Sequence, residues 1–327
     1  MLKDTQRQKR LFHLSPNVQN GIGSVLLLGV LWCMFRPDST VYKAQFAVGL
    51  WLLGLIFLAF RYPRLTMWSF GACALLSLYL RSTTNTDLQP PPKNNAPKIK
   101  VAHFNLSAFK SDIAETLAKM EESGADVISV QEISPEWVKP LLDSFSKRFR
   151  HRCAFLGTDL YSFALFSKLP IAKCDTFFYN SNFNRIPNLM AKIELAEGGW
   201  RQPITILNSY IEPPILASAR AQQEQHFNAL AKKIEKMTAE KMPVLTVGNY
   251  NSDPTSAEIQ TFRATSALLD SRRGFQITRK DGKLSLLDVP LDHIFYSNAL
   301  QCLDFQTLSG SQGERVGIMG IYQINKN

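Results

Sequence analysis

Three apolar runs without an Asp, Glu, Lys or Arg side chain fill most of the first eighty residues: Leu11 to Phe35, Ala44 to Phe60 and Leu65 to Leu80. Their centres read GSVLLLGVLWCMF, AVGLWLLGLIFLAF and MWSFGACALLSLYL. A bilayer core about 30 Å thick takes roughly 20 helical residues, with a working range of about 17–25. As soluble core helices the runs would need amphipathic partners to bury them, and the few residues between them supply none. They predict a membrane domain over residues 1–81 with three transmembrane helices. The second and third runs are short, with Lys43 and Arg61 placed to snorkel and Trp and Tyr suited to the interface. The basic start KDTQRQKR also fits a signal-peptide n-region for the first run, although two further runs come after it.

Charge is as unevenly spread as hydrophobicity. Of 37 basic residues 12 precede Val101, against only 3 of the 27 acidic ones, which leaves 25 against 24 in the remainder. The high isoelectric point therefore belongs to the N-terminal third, and charge does not support nucleic-acid binding by the chain from Val101 onward. Lys3, Arg7, Lys9 and Arg10 precede the first run, and Arg61 with Arg64 sits between the second and third. The positive-inside rule puts both groups in the cytoplasm. Three spans then place the rest of the chain outside it, as the periplasmic domain of a multi-pass inner or plasma membrane protein. Arg36 and Lys43 oppose this bias, and loss of one span would reverse it.

Residues 82–98 form a polar, proline-rich tether, RSTTNTDLQPPPKNNAPK with its neighbour Arg81, that cannot build a core. From residue 99 to 327 short apolar strands alternate with a few helices. IKVAHFNL alternates and ends in polar residues, as a strand reaching the edge of a site does. SDIAETLAKMEES has helical spacing, with Ser111 as candidate N-cap and Gly124 as stop. ADVISVQEI reads as a buried strand that delivers Gln131 and Glu132 at its end. Pro135 suits the first turn of a helix, PEWVKPLLDSF. Strand-like runs around Ala154, YSFALFSK, CDTFFYN, LMAKIEL and PITILNSYI precede a long helix, SARAQQEQHFNALAKKIEKM. PVLTVGNYN, LDHIFYS, LQCLDFQTL and VGIMGIYQI complete the strands. The five cysteines form no CxxC pair, which argues against zinc. Cys153, Cys174 and Cys302 leave room for one disulfide, with no pairing indicated.

In order, HFNL, VQEI, YSFALFSKLPI, LNSYI, VGNYN, LDHIF and SGSQGERV resemble the successive motifs of the endonuclease/exonuclease/phosphatase family, and three preceding spans resemble its membrane-anchored bacterial branch. The resemblance runs from about Lys98 to Ile324. It implies an α/β fold of the DNase I type, a two-sheet β-sandwich flanked by helices, with a phosphoester site where strand ends meet. It also implies Mg²⁺ (or Mn²⁺), hydrolysis by in-line attack of water, and Glu132 as the metal-binding carboxylate. Asn105 and Asn251 match amides that orient phosphate, metal or water. Asp292 matches the acid that orients a catalytic His, and Tyr210 stands where phosphatase-like members carry His and apurinic endonucleases carry Tyr. Taken alone, Glu132 would read as a solvated acid, Asn105, Asn251 and Asp292 as turn residues, and Tyr210 as a buried phenol.

Two positions depart from the pattern. Asn249 stands in place of the Asp of Gly-Asp-Φ-Asn, and an amide cannot take a proton from water. The final Gly-Ser-Asp-His reads Gly310, Ser311, Gln312, Gly313, so the expected imidazole is missing and Asp292 loses the partner it would orient. Each acid–base role contributes about 10²–10⁴-fold. The expectation is a catalytically impaired, membrane-tethered protein that binds a phosphate-containing ligand or a partner protein. The alternative is an active phosphodiesterase or phosphatase, less readily a nuclease, rescued by Asp253, His226 or His103. Substrate choice would rest on variable loops such as YNSNFNRIPN and DSRRGFQITRKDGK.

Overall fold

The structure, a computed structural model, describes residues 14–35, 40–82, 96–108, 113–157, 161–180, 185–197, 200–214, 217–254, 256–272, 279–280, 283–284, 290–310 and 315–325. Ser111, Ser311, Gln312 and Gly313, the basic N-terminal tail and most of the tether lie outside them. The chain forms two compact units, Met1–Thr83 and Thr84–Asn327.

In the first unit, helices α1 (Pro16–Phe35), α2 (Thr40–Ala59) and α3 (Pro63–Ser82) follow the three apolar runs. Ala72, Leu76 and Leu80, four residues apart on one face of α3, bury against Val30, Ala44 and Leu50. The outward faces stay apolar. Of the large hydrophobic side chains exposed among the described residues, all but Leu156 lie between Val18 and Leu78. An apolar surface of that kind marks contact with a membrane or another protein. Two helices are long and apolar enough to cross a bilayer, Pro16–Phe35 and Tyr42–Ala59, each with mean hydropathy 1.6. The third, expected to span as well, falls short. Arg64, Thr66, Ser69, Ser77 and Arg81 dilute its apolar residues.

The second unit stacks two six-stranded sheets between helices. Its elements are β1 (Lys98–Asn105), α4 (Ile113–Glu122), β2 (Val127–Gln131), α5 (Pro135–Phe145), β3 (His151–Phe155), β4 (Phe163–Ser167), β5 (Ile171–Asn180), β6 (Arg185–Glu197) and β7 (Trp200–Asn208). They continue with α6 (Ala217–Ala239), β8 (Val244–Asn249), α7 (Ala257–Ser266), β9 (Leu268–Asp270), β10 (Arg279–Lys280), β11 (Lys283–Leu284), β12 (Asp292–Ser297), β13 (Leu300–Ser309) and β14 (Arg315–Ile324). One sheet has the order β13-β14-β1-β2-β4-β3, the other β5-β6-β7-β8-β12-β9, and β10 pairs with β11. This is the two-sheet sandwich expected from the motifs, built of mixed sheets.

Strand alternation explains the layering. Val101, Val127, Leu165, Val247, Ile294 and Ile318 point between the sheets into the central core. Ala102, Phe104, Ile128 and Val130, of opposite parity, bury under α4 and α5 through Leu117, Met120, Trp137 and Phe145. Leu207, Val244 and Phe295 bury under α6 and α7 through Phe227, Leu230, Ile234 and Phe262. Helix α7 went unforeseen in the sequence because it buries only Ile259, Phe262 and Ser266. A disulfide joins Cys153 on β3 to Cys174 on β5, so it ties the outer strand of one sheet to the outer strand of the other.

His226 on α6 stacks on Tyr179 of β5, ring centroids 4.1 Å apart and planes 7° from parallel. Burial holds its imidazole neutral, pushing its pKa from 6.5 down to about 3. It is therefore a core residue, not a substitute acid. In the unfolded chain it takes a proton near pH 6.5, so between these values the unfolded state binds more protons. Its contribution to stability is full above pH 6.5 and is lost as pH falls toward 3, by at most about 4–5 kcal/mol. His226→Phe, which keeps the stacked ring, is expected to flatten this dependence. Urea unfolding at pH 7 and pH 4 should show the variant losing roughly 2–3 kcal/mol less than the parent.

Candidate functional site

Parallel pairing decides where the polar residues gather. β1 pairs with β2 so that Asn105 lies beside Gln131, and β7 pairs with β8 so that Asn208 lies beside Val247. All four strands end at one pole of the sandwich. Antiparallel β12 begins there, with Asp292 opposite Asn249. The pole thus brings together Asn105, Glu132, Tyr210, Asn249, Asn251 and Asp292, six of the positions singled out in the sequence.

The two sheets are held together directly beneath it by amide side chains. Gln131 is fully buried. Its Nε2 donates to Asn208 Oδ1 at 2.6 Å and to the Ser209 carbonyl at 2.9 Å, while its Oε1 accepts from the Asn249 backbone N–H at 2.9 Å. Asn208 Nδ2 in turn donates to the carbonyls of Val130 at 3.2 Å and Ala164 at 3.3 Å. Gly248 permits this crowding: its φ is +151°, and a Cβ there would stand 1.9 Å from the Ser209 carbonyl oxygen. Sequence reading delivered Gln131 to the strand end without seeing this role. The available signal was its inward parity with Val127 and Ser129.

Beyond these strand ends the backbone turns left-handed at two non-glycine residues, Glu132 (φ +56°) and Asn251 (φ +47°). Such conformations persist where surrounding bonds over-determine them. Asn105 supplies one set. Its Oδ1 accepts from the backbone N–H and the hydroxyl of Ser107, at 3.0 and 2.9 Å, which turns its Nδ2 to donate to Glu132 Oε1 at 2.7 Å. Asn249 supplies the other, its Oδ1 accepting from the Asn251 N–H at 2.9 Å. Asn251 Nδ2 donates to the Ile211 carbonyl at 2.8 Å. Gln223 on α6 braces the same turn, donating to the carbonyls of Glu212 at 3.1 Å and Asn251 at 3.4 Å. Neither Ser107 nor Gln223 stood out in the sequence.

Because a backbone N–H can only donate, the Asn251 N–H fixes which end of the Asn249 amide faces it. The oxygen is used in the turn, and the group left over is Nδ2, a donor. Tyr210 stacks edge-on to Tyr161, ring centroids 5.8 Å apart. Burial, with the Glu132 charge nearby, raises its pKa from 10 to about 12, so its phenol stays protonated. Tyr161 Oη donates to Glu212 Oε1 at 2.5 Å.

Asp292 differs from expectation. Although the sequence left it without an imidazole, Oδ1 lies 3.9 Å from Nε2 of the fully buried His103, whose Nδ1 is 3.1 Å from Ser129 Oγ. The Asp292 carbonyl accepts from Arg272 Nη2 at 3.1 Å. Beside it, His293 Nδ1 faces Arg272 Nη1 at 3.5 Å, so its Nε2–H donates to the Ser252 carbonyl at 2.9 Å. Asp253 is buried in the turn after Asn251.

Among the described residues no three His, Cys, Asp or Glu side chains converge as a metal cluster. Glu132, held rigidly through one oxygen, fits a hard cation that takes one protein carboxylate and keeps its waters, as Mg²⁺ does.

Comparison with curated protein sequences returns no match. Among solved structures, the chain is similar to an endonuclease/exonuclease/phosphatase family protein from Bacteroides thetaiotaomicron (TM-score 0.56, 14% identity, covering 71% of this chain and 97% of that one). It is similar also to the human Nocturnin catalytic domain (TM-score 0.52, 16% identity, 71% and 96% covered). A third is the endonuclease/exonuclease/phosphatase from Bacteroides vulgatus (TM-score 0.54, 12% identity, 70% and 99% covered). At such identities the likeness is one of fold. The sequence profile of the endonuclease/exonuclease/phosphatase family matches residues 102–313, well over half of the chain and nearly all of the sandwich. The chain belongs to the endonuclease/exonuclease/phosphatase family.

Proposed function

We propose that this protein is a membrane-tethered member of the family that binds a phosphate ester and is catalytically impaired. The observation that carries it is the Asn249 amide. Its oxygen is committed to the Asn251 N–H, so the position facing the site offers a hydrogen-bond donor where hydrolysis needs a proton acceptor. Glu132 would hold one Mg²⁺ or Mn²⁺, aligned by Asn105; bound there, the ion supplies charge neutralisation for phosphoryl oxygens. Tyr210, protonated, is placed to donate to the same phosphate. The human Nocturnin catalytic domain, of the same fold, holds a bound sulfate anion. Binding is thus supported more fully than turnover. Loss of one acid–base group removes about 10²–10⁴-fold in rate.

Residual hydrolysis has one structural argument in its favour. Asp292 is the carboxylate across the β8–β12 ladder from Asn249, with His103 behind it. The full-length protein, assayed with Mg²⁺ or Mn²⁺ on a chromogenic phosphodiester, is expected to show no turnover above background. Asn249→Asp combined with Gln312→Asp and Gly313→His should raise it by at least about 10²-fold. Turnover in the parent that disappears in both Glu132→Ala and Asp292→Asn would overturn the proposal and name Asp292 as the base.

The exposed apolar faces of α1 to α3 support a place in a membrane, with the second unit outside the cytoplasm. The Cys153–Cys174 disulfide favours that side, since disulfides persist in oxidising compartments. A periplasm-active alkaline phosphatase fused after Asn327 should be active, and Cys153 and Cys174 in the extracted protein should resist alkylation until reduced. Free thiols together with an inactive fusion would place the unit in the cytoplasm.

A further inference from the structure

The pole opposite the candidate site carries a cluster of basic side chains. After α5 the chain reads Lys147, Arg148, Phe149, Arg150, His151, Arg152, and the four lysine and arginine side chains are exposed around a buried Phe149. β3 begins here, and His151 pairs with Ser167 at the end of β4, which brings Lys168 alongside. The Lys168 ammonium lies 5.6 Å from the centre of the Phe149 ring. β2 begins at the same level, Val127 opposite Ser167, and Asp126 binds the Lys100 backbone N–H at 2.9 Å. The start of β1, with exposed Lys98, therefore belongs to the same pole.

Two of these cations have acidic neighbours, Arg148 with Glu121 at 3.3 Å and Lys168 with Asp126 at 4.0 Å. Both pairs are solvent-accessible and weakly held. The chain from Val101 onward is close to neutral as a whole, with 25 basic against 24 acidic residues, so the cluster is a local segregation of charge and not a share of a general excess. It also lies at the end of the sheet where β1, the first strand after the tether, begins. The fifteen residues between Ser82 and Lys98 reach at most about 50 Å when extended. Held that close, the cluster meets a bilayer as a tethered ligand, at an effective concentration in about the millimolar range.

We infer that the Lys98, Lys147, Arg150, Arg152 and Lys168 pole is a docking surface for anionic lipid headgroups, so that the candidate site faces the aqueous phase. The inference rests on the membrane placement proposed above. β1 runs from this pole to the site over eight residues, about 25 Å. A docked domain thus holds Glu132 and Asn251 well away from the headgroups. The phosphate ester it binds is then a water-soluble molecule, not a lipid of the supporting bilayer.

The full-length protein in nanodiscs of phosphatidylcholine, with and without one third phosphatidylglycerol, tests this by amide hydrogen exchange. Anionic discs should slow exchange over residues 146–152 by about tenfold or more, given roughly fivefold in binding per basic residue near an anionic surface. Lys147→Glu with Arg150→Glu and Arg152→Glu, or about 0.5 M salt, should abolish the difference. Equal exchange in both discs would overturn the proposal, as would protection appearing at residues 249–252 instead. A chain that stays soluble and enters neither disc would refute the membrane placement alone. Docking is then read from co-sedimentation with phosphatidylglycerol vesicles, and its absence would refute docking as well.

Discussion

Gln131 is the residue on which the upper half of the sandwich depends. Two sheets packed through apolar side chains can slide, because dispersion contacts have little directional preference. A fully buried amide that binds Asn208, Ser209 and Asn249 at once removes that freedom, since each unmade bond would leave a polar group desolvated at a cost of about 1–3 kcal/mol. Asn208 repeats the arrangement toward β2 and β4. Register across the interface is therefore set by hydrogen bonds, and set at the end where the functional side chains emerge.

Fixed strand ends make the strained turns tolerable. Glu132 and Asn251 come immediately after the tied strands, and their left-handed backbones would relax if the preceding residues could shift. The Asn249 turn shows why chemistry and fold can part company here. An Asx turn uses one side-chain oxygen, which aspartate and asparagine both possess. Replacing the acid with its amide removes the proton acceptor while leaving the Asn251 N–H satisfied and the Asn251 side chain on Ile211. The turn thus accepts either an acid or its amide at residue 249 with no change in the bonds around it.

The strands and helices that carry the motifs were legible because alternation and helical spacing survive in short segments, and the order of the motifs specified how the strand ends meet. Pairwise facts were not. Gln131 reads only as the end of a buried strand, and its bonds across the sandwich emerge once β7 and β8 are placed across from it. Cys153 and Cys174 belong to different sheets, and only the edge positions of β3 and β5 make them neighbours. His103 and Asp292 lie near opposite ends of the domain sequence, so the imidazole near Asp292 could not be found by scanning the family's last motif. The reading of α3 as a span failed for a simpler reason: freedom from charge over Leu65 to Leu80 is not the same as apolarity, and Thr66, Ser69 and Ser77 interrupt the run.

The topology that gathers the site also polarises the domain. In the parallel pairs at the centre of each sheet, β1 with β2 and β7 with β8, the chain enters at one end and leaves at the other. Exits expose the polar residues that come after a strand, here Glu132 and the Asn249 turn, and entrances receive whatever linkers precede one. β1 is the first strand and sits at the centre of its sheet, so the segment from the apolar helices must arrive at the end farthest from Glu132. The disulfide stands on the flank between these ends, joining edge strands that no other strand covers on their outer side. That polarity does not depend on the identity of residue 249, because it arises from strand order and not from any residue in the pocket.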